Sequence, residues 1–429
     1  MKFSEKLLHF IWRYKLIDQS KLITSEGTTL RILNFGKYNE NAGPDFEFAK
    51  IELDQQTWIG NIEIHWSSSE WYQHKHQLDA RYNTTILHVV WQHTDTQPTY
   101  RKDGTIIPTL ELQHYVDPVF LTKYQYLMEQ EAWIPCEKQL PFIDPFQKMN
   151  WLERIIVERL EQKIKLVQDW LQQTNYDWEK VQLIAIARAF GMKVNAEVFE
   201  KLLFLMPLSI LHKYADDSHK LESLLFGIGG FLELSTEKVD DYYADLRKEF
   251  RYLKQLHQLP VLDLHEWKYM RMRPFNFPTH RLAQFVGLIA KRLQWFEFVK
   301  QASLDEVVSD LENIADSSYW STHFHFQQPS KLHSTKLTKE FIQHILLNAY
   351  VPLLFTYGDY IGQAAMKNKA LEWLQQLPAE KNNIMKRYAD RGYEPTSASE
   401  SQALLYLYKN YCSSKKCLDC AIGYRILNG

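Results

Sequence analysis

An excess of charge of either sign is missing from this chain. It carries 50 Lys and Arg against 52 Asp and Glu, a formal net charge of −2. Proteins that grip nucleic acid broadly gather Lys and Arg on one face, so the balance excludes a global basic field and leaves only a local groove. Glycine and proline are scarce, 15 of each in 429 residues, which excludes a disordered or low-complexity protein. No stretch of 18 apolar residues occurs, so no membrane-spanning helix is expected. Charges interrupt the apolar residues of Met1 to Leu8, unlike a signal peptide. These absences predict a cytoplasmic protein. There is no Gly-rich phosphate loop, no Gly-x-Ser-x-Gly elbow and no His-Glu-x-x-His pair, which argues against Walker NTPases, Rossmann enzymes and the hydrolases built on those motifs. What abounds is apolar and aromatic residues, 45% and 14% of the chain, enough for large cores. The length predicts two or three domains.

The residues best placed for chemistry lie near the start. Gly43-Pro44-Asp45 opens one apolar segment, and Glu63-Ile64-His65 ends the next. Phe46 to Leu53 and Thr57 to His65 read as a hairpin turning at Asp54-Gln55-Gln56. Side chains two apart on a strand share a face, so Glu63 and His65 project together, and Asp45 meets them if the strands pair. Two carboxylates amid apolar residues suit a hard divalent cation such as Mg²⁺ or Mn²⁺. A neutral imidazole at His65 serves as general base or as ligand. The same pattern also fits a half-buried sheet with polar groups at a strand end. Ser4 to Ile17 reads as an amphipathic helix with Leu7, Leu8, Ile11 and Trp12 on one face, and Glu5 on it is a candidate outer ligand. Thr29 to Asn34 alternates like a strand, Ser68 to Gln77 reads as a helix opened by a serine cap, and Thr84 to Trp91 is a β-branched central strand. Ile106 to Leu112 adds one more.

This order of helix, three strands, helix and strand resembles the core of the PD-(D/E)xK (RecB-like) nucleases. There the Asp begins the second strand and the Glu-x-Lys lies on the third. Asp45 and Glu63 hold those places, with His65 where that superfamily has lysine. The resemblance implies that Asp45 and Glu63 hold Mg²⁺ or Mn²⁺ and that His65 orients or deprotonates a water. Trp71, His74 and His76 follow closely and are candidate substrate contacts, although such residues also pack or hydrogen-bond within a fold.

Beyond residue 116 the pattern is helical, with Asp117 to Glu131, Asp144 to Gln173, Trp178 to Phe190 and Asn195 to Leu205 the clearest segments. Phe324 to Lys336 lacks a period and reads as a loop. The segment Arg271-Met-Arg-Pro-Phe-Asn-Phe-Pro-Thr-His-Arg281 joins Arg271, Arg273 and Arg281 to two phenylalanines, with Thr279 as a cap for the helix after it. Such a segment suits phosphate contacts and base stacking, or an ordered loop whose arginines pair with acidic neighbours. Only four cysteines occur: Cys136, and Cys412, Cys417 and Cys420 in a Cys-x4-Cys-x2-Cys run. In a reducing compartment clustered thiols read as ligands. Four suit Zn²⁺ or a [4Fe–4S] cluster, and Lys415 and Lys416 beside them favour thiolates. One distant cysteine plus a C-terminal triplet is similar to the iron–sulfur staple of some RecB-like nucleases, except that Cys136 follows the core here. The alternative is reduced thiols packed beside a helix.

The chain from Asn41-Ala-Gly-Pro-Asp45 and Gly60-Asn-Ile-Glu-Ile-His-Trp66, through Trp133-Ile-Pro-Cys136 and Arg273-Pro-Phe-Asn-Phe-Pro278, to Cys417-Leu-Asp-Cys420 resembles an uncharacterised bacterial family, domain of unknown function 2851. The expected architecture is α+β: a nuclease-like mixed-sheet domain at residues 1–116, then a large all-α domain at 117–429 ending in the cysteine cluster. The expected function is metal-dependent phosphodiester hydrolysis in DNA or RNA. The alternative is a non-catalytic nucleic-acid-binding or scaffold protein on a degenerate nuclease core. A basic groove beside Asp45 favours the first, and an apolar or acidic cleft the second.

Overall fold

The structure is a computed structural model describing residues 4–94, 97–233, 239–314 and 317–429. Ser4 opens helix α1 (Glu5–Arg13) by accepting the Lys6 N–H on its side chain, an N-cap that satisfies one of the free amides of the first turn. The helix buries Leu7, Leu8, Phe10, Ile11 and Trp12. Each such side chain contributes roughly 1.5–3 kcal/mol by leaving water, and the Trp12 indole N–H is satisfied by the Phe35 carbonyl at 3.0 Å.

Alternating apolar residues build one mixed sheet beneath α1. Its strands are β1 (Leu22–Ile23), β2 (Thr29–Asn34), β3 (Lys37–Tyr38), β4 (Phe46–Leu53), β5 (Gln56–Ser67) and β6 (Thr85–Gln92). A separate hairpin of β7 (Thr99–Tyr100) and β8 (Ile106–Ile107) leads to β9 (Thr109–Glu111), which rejoins the sheet. The order is β1-β2-β4-β5-β6-β9, with β3 beside β4. Pairing is antiparallel from β1 to β5 and parallel for β5–β6 and β6–β9. The β4–β5 hairpin turns on Asp54 and Gln55, with φ of 45° and 69°. Two left-handed residues give the turn a twist that matches the strands. Helix α2 (Glu70–Gln73) is shorter than the sequence suggests, because Lys75 takes φ 61° and breaks it.

The chain forms two compact units, Met1–Trp151 with Leu407–Gly429, and Leu152–Tyr406. The sequence places a boundary after residue 116, where the sheet ends. The structure keeps helix α3 (Pro118–Glu129) and the C-terminal helix Ala421–Asn428 with the sheet, because Phe120, Tyr124, Leu127 and Leu427 are buried in the same core as α1 and β5. The second unit is helical. Trp178–Phe190, Ala196–Leu205, Asp241–His257, Pro278–Lys291 and Ala364–Gln376 are its longer complete helices. The segment expected to be a loop near residue 324 holds a small hairpin, His323–His325 with Gln328–Pro329. Among the described residues no helix is long and apolar enough to cross a membrane.

Gly60 of β5 lies against the chain that enters β6. A Cβ there would sit 2.4 Å from the Thr84 carbonyl oxygen and 2.5 Å from Ile86 Cγ2. Backbone cannot swing aside as a side-chain tip does, so Gly60→Ala is expected to destabilise the first unit by about 1–3 kcal/mol. Chemical denaturation followed by tryptophan fluorescence checks this.

Candidate metal centre

The site begins with a fault in the β4–β5 ladder. Leu53 to Ala49 pair regularly with Gln56 to Gly60, but Phe46 then pairs with Ile62. Two residues of β4, Glu47 and Phe48, therefore oppose Asn61 alone, which is a β-bulge. Phe48 carries it with φ 59°, its amide donating to Asn61 Oδ1 at 3.3 Å. The bulge moves the register by one residue, so Asp45 continues opposite Glu63 rather than Ile64. Each acid then holds a backbone amide of the opposite strand segment. The Asp45 N–H donates to Glu63 Oε2 at 3.1 Å, and the Ile64 N–H donates to Asp45 Oδ2 at 2.9 Å.

Histidines surround this pair. Glu63 Oε1 lies 3.5 Å from His65 Nε2 and 3.3 Å from His76 Nε2. His9, on α1, brings Nε2 to 3.3 Å from Asp45 Oδ2. His74 precedes and His76 follows the left-handed Lys75. That kink gathers both against His65, and the ligand atoms of His65, His74 and His76 all lie within 4.8 Å of one another. No other group of three or more His, Cys, Asp or Glu among the described residues meets that spacing. Behind them, His65 Nδ1 is 2.8 Å from His88 Nε2, and His88 Nδ1 is 3.3 Å from Thr99 Oγ1. A lone pair at His65 Nε2 requires Nδ1–H to donate to His88, which leaves His88 Nδ1–H for Thr99. The chain thus couples the proton on His65 to those on His88 and Thr99, and a ligand lone pair at His65 Nε2 goes with one order of them.

Burial sets the charges. It lifts the Glu63 carboxyl to about 9, helped by the negative Asp45 and opposed by the Asp45 amide. It holds His65 well below its ordinary value, with His88 adding to the effect. His76 falls to about 4 through burial and then His74, and His88 to about 3. The imidazoles are therefore neutral, as metal ligands must be. His76 Nε2 and His9 Nε2 are buried with no hydrogen-bond partner. The neutral His76 nitrogen facing the Glu63 oxygen fits a cation shared by the two. Glu5 also belongs to this surround, its pKa raised by burial and then by Glu70 and Asp45.

The other candidate residues fall elsewhere. Trp71 is fully buried and packs on His76, Tyr82 and His88, with its indole N–H on the Tyr100 carbonyl. It is a wall of the site and has no face for substrate. Arg271, Arg273 and Arg281 belong to the second unit. Arg271 and Arg273 are exposed. Arg281 is buried, stacks 3.4 Å over the Phe341 ring and donates to Gln284 and Asn276, so it has no free face for a phosphate. Thr279 does not cap its helix. Pro278 is the first helical residue and Thr279 donates instead to the Phe324 carbonyl. All four cysteines lie in the first unit. Cys136 is driven up to about 12 by burial and then by Cys420 and Cys417. Cys417 likewise rises to about 12, burial outweighing Lys415. The flanking lysines therefore do not make thiolates by themselves. Lys415 spends its ammonium on the Met128 and Gln130 carbonyls. His9 is the residue that reading the sequence missed. Its only signal was its place one helical turn after Glu5.

Two outcomes follow for solution binding of Mn²⁺ or Zn²⁺ by calorimetry. Glu63 must lose a proton that it keeps to about pH 9, whereas His76 is already neutral above about pH 4. Affinity should therefore rise with pH through neutrality, roughly tenfold per unit, and Glu63→Gln should remove that slope. His88→Leu, which leaves His65 Nδ1 without its partner, should weaken binding about 10- to 100-fold with the circular dichroism spectrum unchanged.

Neither the search of curated proteins nor that of solved structures finds a match for this chain. A family model does match, over residues 5–383, nearly the whole sequence. The chain belongs to the family described as "Protein of unknown function (DUF2851)".

Proposed function

We propose that the first unit hydrolyses phosphodiester bonds in nucleic acid, using a divalent cation held by Asp45, Glu63 and the histidine cluster. The observation that carries this reading is the reciprocal pairing of Asp45 with Glu63 beside His65. The succession α1, β2, β4, β5, α2, β6 supports this reading, since it is compatible with the element order of the PD-(D/E)xK core, in which Asp45 and Glu63 would take the two acidic positions. A bound cation supplies Lewis-acid polarisation of a phosphoryl oxygen and acidifies water at neutral pH. The protein supplies the rest. Backbone amides pin one oxygen of each carboxylate, and Glu63 turns its other oxygen to the imidazoles. His65, oriented by His88, takes the ligand place that a lysine cannot. His9, beside Asp45, is the group positioned to accept a proton from water. Mixed imidazole and carboxylate donors favour Mn²⁺ over Mg²⁺, which prefers oxygen alone.

The acidic groups Glu5 and Glu70 near Asp45 favour a second reading, a metal-binding scaffold without turnover. Cleavage assays separate the two. Wild-type protein with Mn²⁺ should cut single- or double-stranded DNA or RNA. Glu63→Gln should remove several kcal/mol of barrier lowering, about 100-fold or more in rate, with the thermal midpoint kept. Failure of the wild type on all four substrates, with Mn²⁺ or Mg²⁺, hands the site to the scaffold reading.

A further inference from the structure

We infer that the second unit holds a binding site for a methylated ammonium group, an aromatic cage formed by Trp178, Phe296, Tyr357 and Tyr360 with Glu297 at its rim. All five residues belong to Leu152–Tyr406, and none to the candidate metal centre. Three helices bring them together. Trp178 opens helix Trp178–Phe190, and Phe296 is the second residue of helix Trp295–Gln301. The buried Gln182 ties these two helices. Its Oε1 accepts the Phe296 N–H at 2.8 Å, and its Nε2 donates to the Leu293 carbonyl at 2.7 Å. Tyr357 and Tyr360 lie three apart at the end of helix Val351–Tyr360 and so share a face. The Trp178 and Phe296 rings are 14° from parallel, with centroids 6.2 Å apart. Tyr357 stands nearly perpendicular to both, 5.0 Å from Trp178 and 5.5 Å from Phe296. Tyr360 lies 5.5 Å from Trp178.

These rings border open space. Trp178 and Tyr357 are half-buried and Tyr360 is exposed. A cavity of about 250 Å³ is lined by Trp178, Glu179, Gln182, Gln294, Phe296 and Glu297. Drug-sized ligands occupy roughly 300–1,000 Å³, so this cavity suits a small head group. The faces of aromatic rings are negative, and the chain already uses these for a cation. The Lys300 ammonium lies 4.5 Å from the Tyr357 centroid and 5.6 Å from that of Phe296, and it pairs with Glu297 Oε1 at 2.7 Å. Several rings set at angles around one space, with a carboxylate beside them, recognise quaternary ammonium groups. A lysine ammonium is compact and strongly hydrated. Methylation spreads the same charge over apolar surface, which loses less on leaving water and touches more than one ring. Glu179 is engaged elsewhere, its Oε1 lying 2.9 Å from His212 Nε2. The Glu297 side chain is 61% exposed and can turn to a cation in the cavity. The Trp178 indole N–H is buried with no hydrogen-bond partner among the described residues. A buried donor left unpaired is costly, and an oxygen on the ligand, such as the hydroxyl of choline, supplies its acceptor.

The test titrates the full chain with tetramethylammonium, choline and a trimethyl-lysine peptide by calorimetry. The control is the neutral isostere of choline, in which a tert-butyl group replaces the trimethylammonium. The cations should bind, and the isostere should bind at least about tenfold more weakly, because it lacks the charge that the rings attract. The tighter of choline and the peptide names the molecule that carries the group. Tyr357→Leu keeps an apolar side chain and should weaken choline about tenfold. Lys300→Met keeps the packing of the stem and removes the competing cation, so choline should bind more tightly than to the wild type. Rings that serve packing alone predict none of these differences. Circular dichroism shows whether the variants fold. If they do not, the comparison of choline with its isostere on wild-type protein decides the matter. Absence of binding by every cation overturns the site. So does equal binding of the isostere, and so does folded Lys300→Met protein that binds choline no better than the wild type.

Discussion

The candidate site depends on a single extra residue in β4. A regular ladder would set Asp45 against Ile64, on the wrong side of the sheet from Glu63. The bulge at Glu47 and Phe48 adds one residue and turns Asp45 to the Glu63 face. A one-residue change of register flips every side chain beyond it, so the site is an all-or-none consequence of that irregularity. The strain of a left-handed phenylalanine is offset locally by the Asn61 hydrogen bond and by the two carboxylate–amide bonds that the new register permits.

Burial explains why the groups gathered there are unusual as a set. Glu63, His65, His76 and His88 are all buried. A buried carboxylate without a counter-charge is costly, and here the neighbouring imidazoles resist protonation because they are buried too. Among the described residues no lysine or arginine pairs with Glu63, whose partners are His65, His76 and the Asp45 amide. The arrangement is economical only if a cation enters or Glu63 stays protonated, as its raised pKa requires when no cation is bound. The His65–His88–Thr99 chain adds direction, since each ring has one nitrogen committed away from the site.

The first unit is also discontinuous. The segment Leu407–Gly429 returns to it after the whole second unit has been traversed. Holding the ends of so long an excursion together costs loop entropy, though the cost grows only slowly with length. Leu427 in the core, Lys415 on the end of α3, Trp133 stacked on Tyr408 and Tyr411 against Trp151 all meet that cost where the cysteines lie.

Much of this was legible in the residues. Alternation marked β2, two segments around a polar turn marked β4 and β5, and a β-branched apolar run marked β6, which is buried on both faces. Gly191 marked the end of helix Trp178–Phe190, and the structure adds Asp177 as the cap at its start. Asp45, Glu63 and His65 stood out because i and i+2 on a strand share a face. The register between β4 and β5 did not, since the bulge rests on a left-handed Phe48 that no local rule demands. The meeting of His74 and His76 with His65 rests on a left-handed Lys75, and sequence periodicity predicts instead a helix that would separate them. Arg281 looked like a phosphate contact, and only packing against Phe341 shows that it is enclosed. Chain order alone hid that α3 and the C-terminal helix share the sheet's core. Local pattern determines which residues are strand, helix and polar, whereas register, burial and the meeting of distant segments are decided only when the whole chain competes for one apolar interior.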